Sequence, residues 1–404
     1  MAGAGIIALA AILLQIPAIN ERVAWRYEVA RTYVRNVINP VGDVPTAIPN
    51  PTSAVTSTPP AVTQTAVPPQ QILETEAVST FEPLPSQASL TSPEYEKQRP
   101  NNCGPAALAM MLRMYGWDGT QLDISEVIKP VNGDRNVNPE EMAYWVRNYA
   151  GWLRIDYRVG GDLETIKRLL AAGYPVTIEG TTSLNPDDSG WINDDLWAAH
   201  YLLLTGYDDN AQTFTAQDPY RGPDKMIPYD QLISEWKPFN YLYMIIYLPE
   251  EETELRGLLG SNWDPDLNRQ TSLAASQAAT ANDPSDAFAW FNLGSNLVYF
   301  ERYEEANAAY DKARELGLPQ RMFRYQFGPF IANFHTQRTD DLLALTEYAL
   351  QRTDMSEETW LWHGWALYRK GDASKAVEAW RRALSIHPGY ADALYALGFV
   401  GASP

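Results

Sequence analysis

Cysteine is almost missing from this chain: Cys103 is the only one among 404 residues. That excludes an intrachain disulfide and any zinc or iron–sulfur cage built from thiolates. Histidine is scarce too, with four residues, three of which (His335, His363 and His387) lie near the C-terminal end. Only His200 shares the central part of the sequence with the thiol. Basic residues are in deficit, 31 Lys and Arg against 50 Asp and Glu, for a formal net charge of −19. A surface that acidic repels phosphate backbones, so no nucleic-acid partner is expected. Long apolar runs are absent except at the start, where Gly3–Ile19 is apolar apart from Gln15. That run sits at the short limit for a membrane span.

What remains divides into five stretches. Residues 1–20 read as a membrane-targeting segment, so the chain is expected to be membrane-anchored by its N-terminus. Residues 21–92 are a juxtamembrane segment and a linker rich in Pro, Thr and Ser, which lacks the periodicity to build a core. The stalk-like linker points to an extracytoplasmic location. Arg22, Arg26, Arg31 and Arg35 argue the other way by the positive-inside rule. Residues 93–249 mix helical and strand patterns. Residues 250–283 read as a spacer, polar and then alanine-rich.

Residues 284–404 repeat. Trp290, Leu293, Gly294, Ala306, Tyr310, Ala313 and Pro319 fall at tetratricopeptide spacing. Trp360, Gly364, Leu367, Ala376, Trp380, Ala383 and Pro388 do so again two repeat periods later. The small residues let paired helices approach and the aromatics fill the space between them.

In the central stretch, Leu108, Met111, Leu112 and Tyr115 recur at helical spacing after Cys103. Pro105 is tolerated only in a first turn, which puts Cys103 at a helix N-terminus. Further helices are predicted over 139–149 and 163–172. Strands are predicted over 175–179, 200–207, 213–217 and 242–248. Helices followed by an antiparallel meander describe an α+β domain.

A helix N-terminus favours the thiolate over the thiol. An imidazole can complete the activation by taking the proton, and His200, opening a hydrophobic strand, is the one candidate. Asp218, after the next strand, is placed to hold the imidazole tautomer. The backbone N–H of Cys103 and the side-chain amide of Gln98 are candidate oxyanion donors. Asn101 and Asn102 are candidates for the helix cap or for a further donor. No metal and no cofactor is required by this set.

Three segments now carry a resemblance: Gln98-Arg-Pro-Asn-Asn-Cys-Gly-Pro-Ala106, His200-Tyr-Leu-Leu-Leu-Thr-Gly-Tyr-Asp-Asp209 and Gln217-Asp-Pro-Tyr220. In this order they are similar to the peptidase C39-like domain family of the papain-like superfamily, over about 95–248. The resemblance implies a papain-like fold with Cys103 as nucleophile, His200 as general base and acid, Asp218 as orienting residue and Gln98 in the oxyanion hole. The bacteriocin-processing relatives are fused to an ABC transporter. This chain has no GxxxxGK[ST] loop, so that export role does not carry over. The C-terminal part resembles tetratricopeptide repeats.

The function expected is a cysteine-dependent amide or peptide hydrolase acting through a thioester on a peptide or protein substrate, with a protein partner bound through the repeats. A transglutaminase-like transfer uses the same triad. The rival reading is a non-catalytic peptide- or protein-binding module on the same fold. Asp187, Asp188, Trp191, Asp194 and Asp195 form an acidic loop before His200, read as solvated charge or as a gate at the cleft. Asp208 and Asp209 read as turn residues.

Overall fold

The structure, a computed structural model, describes residues 17–38, 40–48, 83–131, 135–185 and 194–404. An N-terminal helix, α1 (Pro17–Ile38), precedes a sheet domain. That domain opens with β1 (Gln87–Ser89) and three helices: α2 (Cys103–Arg113), α3 (Gln121–Ile128) and α4 (Pro139–Tyr149). Then come β2 (Arg154–Arg158), α5 (Leu163–Ala171), β3 (Val176–Ser183), β4 (Trp197–Asp208), β5 (Thr213–Asp218), β6 (Gly222–Pro228), α6 (Tyr229–Trp236) and β7 (Tyr243–Tyr247). The strands form one seven-stranded antiparallel sheet in the order β2-β7-β3-β4-β5-β6, with β1 beside β4.

Strand alternation divides the core. Tyr201 and Leu203 of β4, with Met244 and Ile246 of β7, face a cluster built on α2, α3 and α4. Leu202 and Leu204, with Tyr243, Ile245 and Tyr247, face the opposite cluster built on α5 and α6. Side chains point to opposite faces at every step, so a strand covered on both sides must be apolar throughout. Helix α2 is buried along every residue from Gly104 to Leu112. It is a central helix and not an amphipathic surface one. Helix α4 starts at a capping box: Asn138 Oδ1 accepts from Glu141 N at 2.9 Å, and Asn138 N donates to Glu141 Oε2 at 3.0 Å.

The rest is helical: α7 (Glu252–Leu259), α8 (Pro265–Asn282), α9 (Ala287–Tyr299), α10 (Tyr303–Leu316), α11 (Gly328–His335), α12 (Thr339–Arg352), α13 (Glu357–Arg369), α14 (Ala373–Ile386) and α15 (Ala391–Phe399). The pairing of small residues with aromatics is visible at Gly364. A Cβ there would meet the Trp380 indole nitrogen at 2.3 Å. The segment 321–355, which keeps the repeat length without its pattern, forms the pair α11 and α12.

Several expectations need correction. The stretch 250–283 is helical, because Asp264 caps α8 through Oδ1, 3.0 Å from Leu267 N, and Leu273 buries against the repeats. The linker is not uniformly free: residues 40–48 lie against the repeats and β1 pairs with β4, while 39 and 49–82 fall outside the described residues. Helix α1 is likewise attached to the body of the protein, through Arg31 and Asp354. Strands β2 and β6 and helices α3 and α6 had no clear pattern in the sequence. Most of the apolar segment Gly3–Ile19 lies outside the described residues. Among the described residues no helix is long and apolar enough to cross a membrane.

The sheet domain and the repeats share buried polar contacts. Arg135 Nε donates to Glu357 Oε1 at 2.7 Å, and its guanidinium also pairs with Glu141. Asn240 Nδ2 donates to Asn296 Oδ1 at 2.8 Å, and Lys237 pairs with Asp286 at 2.8 Å. The Asp194 side chain is fully buried, 3.1 Å from Arg321 and 3.4 Å from Arg352 of the repeats. It is therefore not solvated loop charge. Asp187, Asp188 and Trp191 lie outside the described residues.

Candidate active site

Cys103 is the first residue of α2 and half-buried. The N–H groups of a first helical turn have no intrahelical acceptor and point toward the thiol end of the site. The turn before it is fixed by one buried amide. Gln121 Oε1 accepts from Arg99 N at 2.7 Å and from Asn102 Nδ2 at 2.9 Å. Its Nε2 donates to Glu96 Oε1 at 2.9 Å and to Lys97 O at 2.8 Å. With both donors and both lone pairs used, Gln121 locks residues 96–102. Asn102 is therefore turned away from the helix and makes no side-chain cap. Asn101 takes a left-handed backbone (φ 54°), which Asn tolerates better than most residues.

His200 lies in β4, opposite Gly180 of β3. Asp218 ends β5, one strand away on the other side. His200 Nε2 is 2.7 Å from Asp218 Oδ1, and both side chains are almost wholly buried. The same oxygen accepts from Tyr220 N at 2.8 Å and Arg221 N at 3.0 Å, the Asx-turn pattern of a short acidic side chain before a turn. Tyr95 ties this turn down, its hydroxyl donating to Asp218 O at 3.1 Å. Gln98 N donates to Pro219 O at 2.8 Å. The loop before the nucleophile and the loop after the acid are thus held by one another.

The electrostatics follow from these contacts. Burial alone would raise the Asp218 carboxyl. The hydrogen bond and charge of His200, with the two backbone donors, outweigh it and hold Asp218 below the usual carboxylate range. Burial would lower His200, but the hydrogen bonds to Asp218 and Cys103 raise it to about 9. Burial would raise the Cys103 thiol; the His200 hydrogen bond and charge, a Tyr201 backbone contact and the Lys129 ammonium bring it down. With Nε2 committed to Asp218, the ring has only Nδ1 to offer Cys103. A lowered thiol beside a raised imidazole favours the thiolate–imidazolium pair over the neutral one.

The sequence reading missed some members. Lys129, fixed by its Nζ donating to Asn101 O at 2.7 Å, adds positive charge near the sulfur. Glu179, cross-strand to Tyr201, is buried with its pKa raised well above the carboxylate range by desolvation. Burial favours its neutral form. Neither spacing nor type distinguished these residues; strand pairing places Glu179, and the end of α3 places Lys129. Gln98 has a buried Oε1 with no hydrogen-bond partner.

Gln98, Cys103 and His200 open into one cleft of about 490 Å³. Its other walls come from Tyr220, from Arg324 and Tyr325 of the repeats, and from Trp25 and Val29 of α1. The metal-like cluster of Glu141, Glu357 and His387 stands apart from Cys103, and Arg135 pairs with both of its carboxylates.

Residues 86–244 match the Peptidase C39 like family, and residues 364–401 match the TPR repeat. The chain carries a C39-like domain followed by tetratricopeptide repeats. Among solved structures, a candidate C39-like peptidase from Bacillus anthracis is similar at 18% identity, over 40% of this chain and 97% of its own, with a TM-score of 0.32. The peptidase domain of Streptococcus ComA, a bi-functional ABC transporter, is similar at 14% identity over 39% and 99%, with a TM-score of 0.30. YrrB, a TPR protein with an unusual peptide-binding site, is similar at 22% identity over 36% and 80%, with a TM-score of 0.29. No curated protein matches the chain. The C39-like match covers the strands and helices that hold Cys103, His200 and Asp218.

Proposed function

We propose that this protein is a cysteine-dependent amide or peptide hydrolase, with Cys103 as nucleophile, His200 as general base and acid, Asp218 as orienting residue and Gln98 as an oxyanion donor. The observation that carries the reading is the buried His200–Asp218 contact of 2.7 Å, with the ring's other nitrogen left for the only thiol in the chain.

The chemistry is acyl transfer to water. The Cys103 thiolate adds to the substrate carbonyl carbon, and the carbonyl electrons move onto oxygen. Backbone N–H groups at the start of α2 and the Gln98 amide hold that oxyanion. The tetrahedral adduct collapses, the C–N bond breaks, and His200 gives its Nδ1 proton to the departing amine. A thioester remains. His200, now neutral, takes a proton from water as the oxygen attacks the thioester. The acid leaves, and the thiolate–imidazolium pair is restored. Asp218 keeps the Nε2–H tautomer throughout, so Nδ1 always faces the sulfur. The domain at 93–249 carries this chemistry, and the helical repeats from 284 onward bind a peptide segment on their extended surface.

The test is the pH dependence of iodoacetamide alkylation in the wild type and in His200→Ala. With one thiol the signal has a single source. The expected apparent pKa lies well below the free-thiol value of about 8.5 and rises when His200 is removed. A thiol that titrates normally and ignores His200 removes the hydrolase reading and leaves the rival one, a binding module on the same fold.

A further inference from the structure

The repeats already hold an extended peptide, and it belongs to this chain. Residues 40–48 run along α10 and α12. Arg314 Nε donates to Pro45 O at 2.9 Å, Tyr348 OH to Gly42 O at 3.2 Å and Arg352 Nη2 to Gly42 O at 3.1 Å. Ile48 N donates to Asp341 Oδ1 at 3.2 Å. These contacts all read main-chain atoms. The side chains add more: Val44 is buried in the same cluster as Leu318, Phe323 and Tyr348, Val41 packs against that cluster, and Gln320 Nε2 donates to Asp43 Oδ1 at 3.3 Å. A groove that pairs with main-chain atoms and takes small apolar side chains accepts a peptide that offers such residues and asks little of its other positions.

The helix just before this segment stands at the catalytic cleft. Arg22, Trp25, Val29 and Thr32 of α1 recur at three- and four-residue spacing, so they share one face, and all four line the cavity that contains Cys103 and His200. The helix is moored to the repeats by Arg31, whose Nη2 reaches Asp354 at 2.7 and 2.9 Å, and by Arg35 Nη2 donating to Arg352 O at 2.7 Å. The Arg31–Asp354 pair is partly solvent-exposed, so it holds the helix weakly. The better-buried anchor is the peptide that follows it.

We propose that the repeat groove is a peptide-binding site whose resident ligand is residues 40–48, and that this self-ligand sets α1 as a removable wall of the Cys103 cleft. The groove then serves two purposes at once. It completes the cleft while filled in cis, and a competing peptide with a small apolar residue beside proline opens the cleft by displacing the segment. The binding claim stands on its own; the consequence for turnover rests on the hydrolase reading.

The test uses the full chain with Val44→Asp, which buries a charge in the groove, and separately Asp354→Ala, which cuts only the mooring of α1. Hydrogen exchange over 17–48 is expected to accelerate at least tenfold in Val44→Asp. In Val44→Asp, alkylation of Cys103 by a polyethylene-glycol maleimide, relative to iodoacetamide, is expected to rise at least tenfold, and in Asp354→Ala, which leaves Arg35 and the peptide in place, to rise by less. A synthetic nonapeptide of sequence PVGDVPTAI added to Val44→Asp is expected to slow exchange over 339–352 without slowing it over 17–38. Wild-type exchange and wild-type reagent ratios in both variants would overturn the wall, and no effect of the nonapeptide would overturn the groove. If Val44→Asp fails to fold by circular dichroism, the reagent ratio in Asp354→Ala decides the wall, and protection of wild-type 339–352 against added nonapeptide decides the groove. None of these readouts needs turnover. The iodoacetamide pH profile of the same proteins tests the hydrolase reading separately.

Discussion

Asp218→Asn isolates the orienting carboxylate. The substituted side chain is the same size, and its Oδ1 can still accept from Tyr220 N and Arg221 N, so the turn at 218–221 keeps its backbone contacts. That same oxygen meets His200 Nε2, so the amide still accepts from the ring, and what is lost is the negative charge of the carboxylate. The lost charge-assisted hydrogen bond is worth about 1.5–3 kcal/mol. At about 1.36 kcal/mol per unit, the imidazolium, now raised to about 9, should titrate roughly one to two units lower. Iodoacetamide alkylation of Cys103 followed from pH 4 to 10 reads this directly. The wild type should show a thiolate plateau bounded above by the limb near 9. In Asp218→Asn that limb should move down, and the plateau rate near neutrality should fall by about tenfold to a hundredfold, the equivalent of that shift. The four histidines make an imidazole titration by NMR a second assay of the same quantity. An unmoved limb in a folded variant would refute the reasoning, because the short His200–Asp218 contact would then carry no protonation energy.

Three further perturbations follow from the contacts. Gln98→Ala should lower turnover of a cleaved peptide by about 10²–10³ while leaving the iodoacetamide pH profile unchanged; a parallel loss in both would make Gln98 structural and not an oxyanion donor. Arg135→Ala leaves the fully buried Glu357 carboxylate without its cation, so chemical denaturation should show a loss of about 3–5 kcal/mol. Restored stability in the double variant with Glu357→Gln would confirm the cause. His363 is held neutral by burial, with its pKa lowered to about 4. The unfolded chain, titrating near 6.5, binds the proton first, so stability should fall as pH drops from 6.5 to 4 and level off below. The drop is about 2–3 kcal/mol and should disappear in His363→Gln; melts by circular dichroism at pH 7.5 and 4.5 measure it.

The sequence by itself determined the chemistry-bearing types and the architecture of the repeats. One thiol, a proline two positions after it and a single nearby histidine leave few alternatives, because each residue has a local requirement that spacing records. Gly294 with Tyr310 and Gly364 with Trp380 were legible for the same reason: a helix pair needs a gap and a filler at fixed intervals. The bounds of α4 and the start of α2 followed from period and proline, whereas β4 begins at Trp197, three residues before the predicted start. What only the tertiary structure decided is non-local. Gln121 locks the nucleophile loop from the start of the next helix, Glu179 is biased toward its neutral form by burial, and Lys129 reaches the site from the end of α3. The segment 40–48 reads as linker because it has no periodicity of its own; its order is supplied by Arg314, Tyr348 and Arg352 of the repeats. Periodicity reports how a stretch buries itself against its own element. It is silent on a peptide whose partners are main-chain atoms and a groove folded from the far end of the chain.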